Sequence, residues 1–168
     1  MNPALPSKLY YSSRKGWVNP ILIASDHAGF TLKERIKPYL ERKGFKACDL
    51  GAYSKERCDY PQFAYALAKE ISSGRFKRGI LICKSGIGNS IVANRLGGVR
   101  AALCYNVKAA RLSRQHNDSN VLVLGSGFVN VKLAKRILDA WLKAEFQGGR
   151  HARRLNQIRA LERKIRSF

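Results

Sequence analysis

No stretch of this 168-residue chain approaches the 18 or more consecutive apolar residues of a membrane span, because Lys, Arg, Gly or Asp interrupts every hydrophobic run within about ten residues. An integral helical membrane protein is excluded. Cysteine is scarce: Cys48, Cys58, Cys83 and Cys104 form no C-x-x-C pair, and no secretory apolar segment precedes them. A disulfide scaffold or a zinc ribbon does not fit that pattern. Acid is scarcest of all, with 11 Asp and Glu against 32 Lys and Arg, a net charge of +21, and no acidic residue between positions 71 and 117.

The excess of cations lies in the second half, where residues 71–168 carry 20 basic and 4 acidic groups. Such a surface favours anionic partners, whether phosphorylated metabolites, nucleic acid or acidic lipid. A phosphosugar needs only a few cations, so most of the charge is unexplained by a small ligand. A generally basic proteome accounts for it at least as well as nucleic-acid binding. Hydrophobic residues make up 45% and charged residues 26%, which is globular composition and not that of a disordered chain. The length suits one domain, burying roughly 70% of the surface the unfolded chain exposes.

Residues 1–19 are polar and basic, with Pro3, Pro6 and no hydrophobic period. They read as a flexible basic N-terminal extension in preference to an organellar targeting segment, leaving residues 20–168 as the domain. From there strand, loop and helix patterns alternate. Short continuous apolar runs occur at 21–24, 45–50, 79–83, 99–104 and 121–124. Helical spacing appears at Leu32, Ile36 and Leu40, and again at Phe63, Leu67 and Ile71 behind Pro61. Further helices are predicted directly after the 84–88 stretch, around 106–116, over 131–146 and over 152–166. Buried strands alternating with helices predict an α/β fold: a doubly wound, mainly parallel sheet with helices on both faces. The last helix follows the last strand, so its stripe of Leu155, Ile158, Leu161 and Ile165 predicts a dimerisation arm.

Sites in such folds lie beyond the C-terminal ends of strands. Four clusters are expected there: Asp26-His27, Cys83 with Ser85, Gly86, Ile87 and Gly88, His116-Asn117-Asp118, and Gly149-Arg150-His151 with Arg153 and Arg154. All three histidines of the chain are included. The glycine loop is neither a Walker loop, which would end in Gly-Lys-Ser/Thr, nor a dinucleotide loop, whose third glycine is here Ile91. With no ribose-binding acid nearby, a nucleotide cofactor is disfavoured, and a cradle of backbone N–H groups for a small anion or an oxyanion remains. Cys83 beside that cradle and nearby cations is expected to have a lowered pKa and to be a thiolate at neutral pH; Cys48 and Cys104 read as inert buried thiols. His27 and His116 suit acid–base work, hydrogen bonding in loops or, less well, metal ligation, since no Cys or Glu stands at ligand spacing. Cations at positions 150–154 oppose the helix dipole, a conflict that a bound phosphate relieves.

These motifs together resemble the type B ribose 5-phosphate isomerase family, which includes the galactose 6-phosphate isomerase subunits. The resemblance rests on Ser25-Asp26-His27-Ala28-Gly29, Asp59-Tyr60-Pro61, Ile82-Cys83-Lys84-Ser85-Gly86-Ile87-Gly88, Arg114-Gln115-His116-Asn117-Asp118 and Gly148-Gly149-Arg150-His151, and runs from about Pro20 to the last helix. It implies a homodimer or homotetramer with its site between subunits, using neither metal nor cofactor, and a required free thiol fits the reducing cytoplasm. By the same resemblance Cys83 moves a proton between C1 and C2, and His116 opens the furanose ring with Asp26 assisting. The backbone of Ser85, Gly86, Ile87 and Gly88 holds the enediolate. His27, Arg150, His151 and Arg154 hold the phosphate, while Asn117 and Tyr60 line the sugar. Two positions depart from the family pattern: Lys84 stands where glycine is usual, and Gly127 where arginine is frequent. Lys84 is expected to replace part of that lost charge and to help ionise Cys83. The competing readings are an isomerase of a six-carbon sugar phosphate (allose or galactose 6-phosphate), or a repurposed relative binding nucleic acid nonspecifically through its basic last helix.

Overall fold

A computed structural model describes residues 20–166, and for Arg166 the backbone alone. The extension expected over 1–19 lies outside the described residues. Five parallel strands form one sheet in the order β2-β1-β3-β5-β4: β1 (Ile21–Ser25), β2 (Ala47–Asp49), β3 (Gly79–Cys83), β4 (Ala101–Leu103) and β5 (Val121–Gly125). Six helices accompany them: α1 (Phe30–Arg42), α2 (Tyr60–Ser72), α3 (Ile87–Ala93), α4 (Val107–Asn117), α5 (Val131–Lys143) and α6 (Gly149–Arg166).

Strand side chains alternate between the two faces, and the core divides accordingly. Ile21, Ile23, Ile80, Ile82, Leu122 and Leu124 meet Leu32, Ile36 and Leu40 of α1, Ala110 of α4, and Ala134, Ile137, Leu138 and Trp141 of α5. Leu22, Ala24, Leu81, Val121 and Val123 meet Phe63, Ala64, Leu67, Ala68 and Ile71 of α2 and Ala93 of α3. Strands buried on both faces explain why the sequence shows continuous apolar runs. The doubly wound parallel sheet expected from the sequence is present.

Local signals fix the helix starts. Asn106 and Asn130 cap α4 and α5 by accepting the N–H groups of Ala109 (2.8 Å) and Leu133 (2.9 Å). Four elements differ from expectation, the helix expected over 131–146 ending at Lys143. The second and fourth strands shrink to three residues each at the sheet's edges, where only one neighbour supports the ladder. The last helix begins at Gly149 rather than 152, because Gly148 and Gly149 take positive φ (65° and 52°) and turn the chain directly into it. Arg150 and His151 therefore belong to its first turn.

The chain winds outward from β1 to β2, then returns to the other side of β1 as β3. That reversal opens a crevice beyond the C-terminal ends of β1 and β3. Asp26-His27 follow β1 directly, and Cys83 is the last residue of β3.

Candidate active site

Asp26 and Cys83 are drawn together by backbone packing. The N–H of Asp26 donates to the Ile82 carbonyl at 3.3 Å, and a side chain at Gly29 would collide with that same carbonyl. The Asp26 carboxylate accepts the Gly29 N–H at 2.8 Å, which closes the turn and leaves the carboxylate buried. The third loop of the rim, after β5, is tied in by Ser126, whose Oγ donates to the Ala28 carbonyl at 2.9 Å and whose N–H donates to the Cys83 carbonyl at 2.8 Å.

Cys83 is 4% exposed, and its sulfur accepts the Gly86 N–H at 3.1 Å. The Asn89 and Ser85 N–H groups lie near enough to favour its ionised form. Gly86 takes φ 83°, a left-handed conformation suited to glycine, and this folds the loop back over the sulfur. The expected low thiol pKa is corrected by the structure. Burial pushes the Cys83 thiol up, the Gly86 and Asn89 N–H groups pull it back, the nearby Asp26 charge raises it further, and the Ser85 N–H lowers it. Burial wins because the sulfur is desolvated in an apolar strand end. Free Cys83 is thus a neutral thiol held in a ring of donors that favour its ionised form. Cys48 is buried and its thiol raised by burial; Cys104 is pushed up to about 11, in keeping with an inert role.

Aromatic and imidazole side chains surround that centre. Tyr60 starts α2 and its ring covers Gly88, where a Cβ would strike the phenol. The Tyr105 hydroxyl donates to the Ser85 carbonyl at 2.8 Å, and the ring packs on Phe128. The half-buried His27 ring meets the Cys58 backbone, Nδ1 lying 2.9 Å from its carbonyl and 3.2 Å from its N–H. That tether leaves Nε2 for a ligand. Cys58 and Asn89 went unassigned in the sequence: a backbone partner 31 residues away and a backbone donor have no side-chain signature.

The other two clusters are not where the strand-end rule put them. His116 and Asn117 end α4, which leads within a few residues to Val121 at the start of β5, and Val121 is paired with Gly79 at the opposite end of β3 from Cys83. A five-residue strand spans about 13 Å. His116, Asn117, Arg150, His151 and Arg154 therefore occupy the N-terminal edge of the sheet. There the His116 and His151 rings stack, with centroids 4.2 Å apart and planes within 5°. His151 is buried, and desolvation followed by the charges of His116, Arg150 and Arg154 depresses its pKa. Arg150 and Arg154, one turn apart, are exposed beside it. Asp118, left-handed at φ 44°, is occupied by Arg114 at 2.7 Å and Arg100 at 2.8 Å. It braces this corner and does not project from it.

One chain thus presents two clusters of candidate residues on opposite edges of its sheet. The C-terminal edge carries an acid, a thiol and N–H donors; the other carries an imidazole stack and two arginines. Among the described residues, no three His, Cys, Asp or Glu side chains cluster as a metal site needs.

Residues 21–158 match the family model described as ribose/galactose isomerase. The chain is 46% identical over 144 residues to ribose-5-phosphate isomerase B of Escherichia coli, covering 86% of this chain and 97% of that protein. Among solved structures, the type B enzyme of Clostridium thermocellum shares 48% identity at a TM-score of 0.85, covering 87% of this chain and 99% of that one. The Mycoplasma genitalium enzyme with bound ribulose-5-phosphate shares 43% at 0.84, covering 88% and 99%. Fold, motif order and near full-length identity agree, and the chain belongs to the ribose/galactose isomerase family.

Proposed function

We propose that the protein interconverts ribose 5-phosphate and ribulose 5-phosphate through an enediolate, with Cys83 as the proton-transferring base. The observation that carries this reading is the Cys83 sulfur in its ring of N–H donors, beside the Asp26 carboxylate, at the crevice between β1 and β3. A proton α to a carbonyl is weakly acidic, so its removal needs a positioned base and donors aimed at the oxygen where charge develops.

In the aldose-to-ketose direction the Cys83 thiolate takes the C2 proton, and the C1 carbonyl becomes an enediolate oxygen. The resulting thiol returns the proton to C1, while the C2 hydroxyl proton passes to the C1 oxygen, leaving a C1 hydroxyl and a C2 ketone. Nothing is oxidised or reduced overall, so no cofactor is consumed. The backbone of Ser85, Gly86, Ile87 and Gly88 faces the enediolate, and Tyr60 lines the sugar. His116 opens the furanose ring with help from Asp26; Asn117 lines the sugar, and His27, Arg150, His151 and Arg154 bind the phosphate.

Because Cys83 and His116 sit on opposite edges of one sheet, this chemistry requires a second copy of the chain. In a homodimer each site joins the Cys83 edge of one copy to the His116 edge of the other. The exposed Ile158, Leu161 and Ile165 of α6 (45%, 57% and 70%) supply an apolar contact surface for that assembly or for a tetramer. Among the described residues no helix is long and apolar enough to cross a membrane. A required free thiol suits the reducing cytoplasm.

The test is conversion of ribose 5-phosphate by the purified chain in the presence of EDTA, beside Cys83→Ala and with allose and galactose 6-phosphates as competitors. Activity that survives chelation and is lost in the variant is expected. An unmutated dimer inactive on ribose 5-phosphate overturns the proposal.

A further inference from the structure

Lys84 is the residue on the rim that the folded chain leaves unused. It is exposed, directly follows Cys83, and its ammonium has no hydrogen-bond or carboxylate partner among the described residues. Its stem nevertheless has a seat. A Cβ built on Gly127 would lie 3.2 Å from Cε and 3.4 Å from Cδ of Lys84, so the aliphatic chain runs across the bare face of that glycine. The Gly127 N–H donates to the Lys84 carbonyl at 2.9 Å, fixing the two segments together. A long flexible side chain is thereby held at the meeting point of the loops after β1, β3 and β5.

The two neighbouring side chains leave the backbone in different directions. The Cys83 sulfur turns into the N–H groups of the turn before α3, whereas the Lys84 stem crosses to the loop before α5. The Lys84 stem thus lies against the loop after β5, while the sulfur is held in the turn before α3. A cation so placed serves the substrate's remote anionic end better than its reacting carbons, and remote binding energy of this kind anchors every step alike.

We infer that Lys84 is a phosphate-binding residue of the active-site rim, held in position by the absence of a side chain at Gly127. The inference rests on the isomerase reading for its substrate, but the binding itself is measurable without turnover. Lys84→Met keeps the stem and removes the charge. It is expected to raise both the KM for ribose 5-phosphate and the calorimetric Kd for inorganic phosphate on the order of tenfold, with kcat within about twofold. Lys84→Arg should restore both. Gly127→Ala, which crowds the stem, should weaken phosphate binding in the unmutated background and add nothing in Lys84→Met.

Unchanged KM and Kd in Lys84→Met overturn the inference, because the ammonium then serves only solvent. A change in kcat and in the Cys83 titration with KM unaltered also overturns it, assigning the charge to the thiol. Phosphate binding that depends on Lys84 in a chain without isomerase activity supports the inference while refuting the reading of the reaction.

Discussion

The ionisation of Cys83 makes a quantitative demand on the pH dependence of catalysis. Burial holds the thiol above the ordinary value of 9.0, against the pull of the Gly86, Asn89 and Ser85 N–H groups. A thiol at 9.0 is about 1% ionised at pH 7, and a raised one less. If the free protein must supply a thiolate, kcat/KM should climb roughly tenfold per pH unit between pH 6.5 and 8.5 without levelling off. Alkylation of Cys83 by iodoacetamide, followed by mass spectrometry, should show the same slope. Asp26→Asn retains an acceptor for the Gly29 N–H but removes a charge that raises the thiol. Its alkylation profile should therefore move to lower pH. A plateau of both profiles below pH 7.5 would refute the reasoning, because the donor ring would then outweigh desolvation.

Three further outcomes follow from the packing. Lys33 is wholly buried and donates to Asp49 and to the Ala52 carbonyl at 2.6 Å each, while Asp49 also keeps Lys37 at 2.8 Å. Lys33→Met orphans the carbonyl and should cost about 3 kcal/mol, lowering Tm by roughly 6–12 °C in calorimetry; a loss below about 1 kcal/mol contradicts this. Gly88→Ala forces the Tyr60 ring aside, so KM should rise, and the effect should vanish in a Tyr60→Ala background. Cys104 is pushed up to about 11 from an ordinary 9.0, so the unfolded chain ionises first. Stability to urea should fall by roughly 2–3 kcal/mol as pH rises from 8.5 to 11, and Cys104→Ala should flatten that slope.

Much of the fold was legible because burial on both sheet faces writes itself as uninterrupted apolar runs. Ile21 to Ala24, Gly79 to Cys83 and Val121 to Leu124 were found on that ground, and Pro61 and Gly74 bracketed α2. The edge strands are shorter than their apolar runs: beyond them Leu50 and Cys104 each still donate an N–H to the neighbouring strand, at Ile23 and Val123, while Phe45 and Val99 turn their N–H groups to Leu40 and Leu96 instead. The helix expected over 152–166 starts three residues earlier, because two positive φ angles make Gly148 and Gly149 the turn into α6.

The residue types at the site were likewise visible, but not all of their states. Proximity of Cys83 to a glycine loop suggested an ionised thiol, and only the folded surroundings show desolvation exceeding the donors. The Lys84–Gly127 contact joins residues 43 positions apart, and the His27–Cys58 tether spans 31. Neither has a local signature.

The sequence by itself determined a parallel α/β sheet, a site without a nucleotide loop, and the candidate side chains, because periodicity, glycine placement and residue chemistry are local properties of the chain. The tertiary structure alone decided which of those side chains share an edge. Every crossover helix carries the chain from the C-terminal end of one strand back to the N-terminal end of the next. Asp26 and Cys83, each just after or at the end of a strand, therefore meet, while His116, at the end of a helix, lies a strand's length away.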